Sequence, residues 1–70
     1  MRRHEVDAWC NVAWDDGEVA VWVWLDGSWR CRTYPLDVEL LLRLGRTGFE
    51  RKMVERFMAD WEQQTKGTAA

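Results

Sequence analysis

The chain has 70 residues, of which 47% are hydrophobic and 13% aromatic, and its formal net charge is −2. That length allows one domain, that composition excludes a disordered chain, and the slight acidity gives no overall pull toward nucleic acid. The longest uncharged apolar run falls well short of the ~20 residues that span a membrane, and "MRRHEVDAWC" has no apolar stretch behind its arginines, so the expectation is no signal peptide and no membrane contact.

A cytoplasmic location follows by default, the host-cell cytoplasm if the chain is phage-encoded. The charge is uneven. Through Ser28 there are two basic and six acidic residues, a net −4; from Trp29 onward there are eight basic and six acidic ones, a net +2. Cys10, Cys31 and His4 match no zinc spacing, so neither a metal nor another cofactor is expected.

Residues 4–14, "HEVDAWCNVAW", alternate and read as one strand. Val6, Ala8, Cys10, Val12 and Trp14 share one face; Glu5, Asp7, Trp9, Asn11 and Ala13 share the other. Asp16-Gly17 follows as a two-residue type I′ loop. In that register Asp15 faces Glu18, Val12 faces Val21, Cys10 faces Val23 and Trp9 faces Trp24. The second strand, within "VAVWVWLDGSW", puts Val19, Val21, Val23 and Leu25 on one face and Trp22 and Trp24 on the other.

Asp26-Gly27 turns the chain into "SWRCRTY", and two readings compete. A two-residue loop sets Arg30 and Arg32 on the valine face. A three-residue loop with Gly27 in a bulge sets Trp29, Cys31 and Thr33 there, and leaves Arg30 and Arg32 beside Trp22 and Trp24. The second is preferred because it buries the apolar set. Cys10 and Cys31 then lie on the two outer strands, ~10 Å apart across the middle one, too far for a disulfide, and serve as small core residues.

Pro35 suits the first turn of a helix. Leu36, Val38, Leu40, Leu41, Leu42 and Leu44 cover nearly its whole circumference, which predicts a short helix sandwiched between layers. "GRTG" breaks it. Thr47 and Glu50 have the spacing of a capping box, and the last helix runs to about Lys66 with Phe49, Met53, Val54, Phe57, Met58 and Trp61 as its apolar stripe. The expected architecture is α+β: a three-stranded antiparallel meander (β-β-β) followed by two helices on its valine face. Residues 1–66 form one domain and 67–70 a frayed tail.

No nucleophile–base pair is visible, so an enzyme is not expected. His4 reads as a solvated strand-end residue, and Asp15 and Asp16 as loop residues. The candidate partner-binding residues are Trp9, Trp22, Trp24, Arg30 and Arg32, since tryptophan and arginine are enriched at binding hot spots. Two helices can cover one sheet face and leave the other for a partner, either a second copy (a homodimer) or a foreign protein. Arg43, Arg46, Arg51, Lys52 and Arg56 form a secondary basic surface, for an acidic partner or a phosphate backbone.

Between Glu18 and Val54 the chain resembles the KTSC family, small bacterial and phage domains also appended to some lysyl-tRNA synthetases. The resemblance lies in a strand, a glycine turn, a strand, a proline-initiated helix and a glycine break before a second helix. Its positions here are Gly27, Trp29, Cys31, Pro35, Val38, Leu41, Thr47, Gly48 and Phe49. The family's tyrosine pair is replaced by Trp29 and Cys31. The resemblance implies a non-enzymatic domain, with RNA as one candidate ligand. In size, acidity and aromatic density the chain is also similar to small phage inhibitors of host defence, such as anti-CRISPR proteins. The expected function is a small protein-binding module, a phage or mobile-element inhibitor or adaptor acting on a host protein complex. The alternatives are a single-stranded nucleic-acid or RNA binder and a self-associating structural homodimer.

Overall fold

The structure, a computed structural model, describes residues 3–69, with side chains described through residue 65. The side chains of the tail expected at 67–70 lie outside the described residues. The elements are β1 (Arg3–Asp7), β2 (Cys10–Asp15), β3 (Glu18–Leu25), β4 (Ser28–Pro35) and α1 (Val38–Ala69). The strands form one antiparallel sheet in the order β1-β2-β3-β4. The fold is α+β, but the expected three strands and two helices are corrected to four strands and one helical element.

The extra strand comes from the alternating stretch 4–14, which folds back on itself. Ala8 and Trp9 make a turn, and Asp7 pairs with Cys10. Asp7 Oδ1 accepts the Ala8 N–H at 2.7 Å where that turn begins. The β1–β2 register shifts between Glu5 and Asp7, so Val6 is bulged out of the alternation and packs against the core.

The β2–β3 hairpin has the expected pairs, Cys10 with Val23, Val12 with Val21 and Asp15 with Glu18. Its loop is not type I′, however: Gly17 has φ 76° but Asp16 is not in the left-handed region. Asp26 (φ 52°) and Gly27 (φ 81°) both are, as a type I′ turn requires. The second hairpin therefore closes in two residues, with Leu25 opposite Ser28 and Val19 opposite Tyr34. The preferred three-residue register is overturned. The two-residue register puts Tyr34 in the core, and at the sheet edge long arginine stems can lie along apolar surface with their heads in water.

The core lies between the valine face and α1. Cys10, Val12, Val19, Val21, Val23 and Tyr34 meet Phe49, Met53, Val54 and Phe57, with Trp14, Met58 and Trp61 at the margins. Asp37 starts α1: its Oδ1 accepts the Leu40 N–H at 3.0 Å, satisfying an orphan donor of the first turn. Gly45 (φ 75°, ψ 171°) kinks the element. Before the kink only Leu40 and Leu41 of α1 pack on the core. Leu42 is 79% exposed and Val38 and Leu44 are exposed too, so this segment is not sandwiched between layers as expected.

Candidate binding face

Strand alternation and the register place Arg3, Glu5, Asn11, Ala13, Ala20, Trp22, Trp24, Trp29, Cys31 and Thr33 on the sheet face away from α1. Ala13 and Ala20 are small and form its buried floor. Across that floor the Arg3 guanidinium reaches the Trp22 ring at 4.6 Å and the Trp29 ring at 5.8 Å. Trp24 and Trp29 face each other across β3 and β4 with ring centroids 5.6 Å apart and planes at 77°, the edge-to-face arrangement that the ring quadrupole favours. They remain 48% and 37% exposed. Trp22 is half-buried, and its Nε1 is buried without a hydrogen-bond partner among the described residues.

The five partner-binding candidates are thus divided. Trp22 and Trp24 are together on this face. Trp9 stands at the β1–β2 turn, where its carbonyl accepts the Trp24 N–H at 2.8 Å. It lines a cleft of about 240 Å³ with Val6, Cys10, Arg51 and Val54. Arg30 and Arg32 are on the α1 side, contrary to their expected place beside Trp22 and Trp24. Arg30 stacks over Trp61 at 5.2 Å and Arg32 donates to Gln64. In their stead the face holds Arg3, Trp29 and Cys31, three residues whose place depended on the register of the outer strands.

Cys31 is exposed on this face, while Cys10 is buried on the other, so only Cys10 is the small core residue expected. Both thiols are free, and burial pushes the Cys10 thiol above its ordinary pKa.

The secondary basic surface is also dispersed. Arg46 lies over Trp14 at 5.6 Å, Arg51 lines the cleft beside Trp9, and Arg56 lies over Tyr34 at 4.8 Å. Lys52 and Arg56 border a separate hollow with Leu40. Arg43 is exposed in the segment before the kink.

A polar centre that the capping-box reading concealed lies at Glu50, which is 3% exposed. Its Oε2 accepts the Trp14 Nε1–H at 2.7 Å, its Oε1 lies 3.0 Å from His4 Nε2, and Arg46 Nε is 3.7 Å away. Glu50 therefore does not turn back to Thr47, and His4 is exposed but not merely solvated. The centre ties β1 and β2 to α1, and a buried carboxylate is tolerable only with such partners. Among the described residues no three His, Cys, Asp or Glu side chains gather into a set able to hold a metal ion. Among these residues, too, no helix is long and apolar enough to cross a membrane. Compared with protein-family models, with curated proteins and with solved structures, the chain matches none.

Proposed function

We propose that this chain is a non-enzymatic protein-binding module, of the inhibitor or adaptor kind, whose contact surface is the sheet face opposite α1. The observation that carries the reading is the exposed Trp24–Trp29 pair beside Trp22, on a face that no other described element covers. Exposed indoles grouped on one flat surface are the material of an interface centre. Arg3 and Glu5 supply one charge of each sign beside them, as suits a protein surface better than a phosphate backbone. Removal of Arg30 and Arg32 to the other face weakens the nucleic-acid alternative further.

The test uses the tagged chain and its Trp24→Ala/Trp29→Ala variant. The expected result is a protein partner held by the wild type, identified by mass spectrometry, and released by the variant, with affinity nearly independent of salt. Sedimentation of the pure chain at several concentrations reads self-association in parallel. Nuclease-sensitive binding that weakens steeply with the logarithm of salt would overturn the protein-binding reading in favour of nucleic acid.

A further inference from the structure

The two edges of the sheet are unlike. β1 has five residues, and its pairing shifts between Glu5 and Asp7, which twists that edge away from regular pairing. β4 has eight, paired with β3 without a shift from Ser28 to Pro35. Its outer side meets no strand among the described residues. The Trp24 N–H turns away from β4 to the Trp9 carbonyl, so Trp24 and Trp29 form a pair that exchanges no backbone bonds. Such pairs recur at every second residue of an antiparallel ladder. Trp29, Cys31 and Thr33 therefore turn their N–H and C=O groups outward. Pro35 falls in the same alternation, where a missing N–H costs the ladder nothing. Along β4 runs a cleft of about 390 Å³, bordered by Arg30 and Arg32 from the strand and by Phe57 and Trp61 from α1.

We propose that the free edge of β4 is a strand-addition site, and that its occupant is an extended segment of a partner protein with acidic residues at alternate positions. The proposal rests on the protein-binding reading and names the kind of partner. An added strand presents one set of side chains to Trp29, Cys31 and Thr33, and the other set to Arg30 and Arg32. Carboxylates complement the two guanidiniums, and apolar or β-branched side chains suit Trp29 and Cys31. A second copy is the poorer occupant in the central register. Pairing two β4 strands about a two-fold axis at Cys31 sets Arg30 of one copy opposite Arg32 of the other, and like charges directly opposed disfavour a strand pair.

The probe is a blocked peptide alternating valine with glutamate over the length of β4, titrated by fluorescence anisotropy into the full chain. Binding is expected, and should be roughly tenfold or more weaker when lysine replaces glutamate or when alternate peptide amides are N-methylated. Arg30→Glu/Arg32→Glu should invert the preference between the two peptides. Thr33→Pro, which removes an outward N–H and spares the β3 ladder, should also abolish binding. No binding of the glutamate peptide, or binding indifferent to N-methylation, overturns the proposal without a protein variant that must fold. Either result leaves the tryptophan-face reading standing, because that reading is tested by capture of the native partner, which the peptide titration does not use.

Discussion

Tyr34 shows at the scale of one residue how burial becomes pH-dependent stability. Its hydroxyl donates to Asp60 Oδ2 at 2.8 Å, and its ring is buried under the Arg56 guanidinium. Burial first, then the bond to Asp60, pushes its pKa from 10.0 up to about 12. In the unfolded chain the phenol ionises near its ordinary value, and in the folded chain it still holds its proton there. Stability from this group is therefore full below pH 10 and is lost as the pH rises toward 12, by about 3 kcal/mol on a shift of this size. Tyr34→Phe should be less stable near neutrality by about 1.5–3 kcal/mol, the worth of a hydrogen bond to a charged acceptor. Urea midpoints across the alkaline range should then bring the two proteins together, since ordinary lysine titration is common to both. Parallel profiles would show that Tyr34 ionises freely in the native state.

At the scale of elements, single backbone positions set the path of the chain. Gly45 holds a conformation essentially confined to glycine, φ 75° with ψ 171°. It lets Val38–Leu44 depart from the line of the longer run that packs Phe49, Met53 and Phe57 on the sheet. Gly45→Ala should cost about 1–3 kcal/mol, read as a lower midpoint in thermal denaturation. Gly48 is a contrasting case: its φ is not left-handed, and an added Cβ would meet Leu44 Cβ at 3.1 Å. There the helix propensity gained by alanine, about 1 kcal/mol, opposes a tight contact, so Gly48→Ala should change stability less than Gly45→Ala. Equal losses at the two sites would mean that the kink is not what Gly45 supplies.

The whole molecule measures 38 × 22 × 19 Å, and a helix rising about 1.5 Å per residue accounts for most of the long dimension in the run beyond Gly45. A chain this short has one thin core, and domains of its length have a total stability of about 4–10 kcal/mol. Phe57→Ala should remove about 3–5 kcal/mol of that, because its ring is fully buried. The double change Trp24→Ala/Trp29→Ala should cost only about 1–2 kcal/mol, the worth of an exposed aromatic pair. Urea titration followed by far-UV circular dichroism distinguishes them: a largely unfolded Phe57 variant and a folded tryptophan variant are expected. If the tryptophan variant also unfolds, the indoles belong to the core rather than to a contact surface.

The alternation of valine and tryptophan in β3 by itself determined which sheet face takes α1, because a period of two admits only two assignments and only one of them buries an uncharged face. The Asp15–Glu18 register, the apolar stripe from Phe49 to Trp61 and the glycine break near residue 45 followed from local pattern in the same way. The fourth strand did not, because the alternation in 4–14 runs straight through the turn at Ala8 and Trp9 and only Asp7 marks it. Nor did the place of Arg30 and Arg32. Asp26-Gly27 permits either loop length, and the choice rested on the burial of Tyr34 and on Trp61 and Gln64, some thirty residues away, receiving the guanidiniums. The spacing to Thr47 makes Glu50 the far member of a capping box with Thr47 as the cap, yet its partners His4 and Trp14 lie 46 and 36 residues off. Tertiary structure decided these because each is a competition between a local bond and a distant one, and the distant partner enters only when the sheet and helix meet.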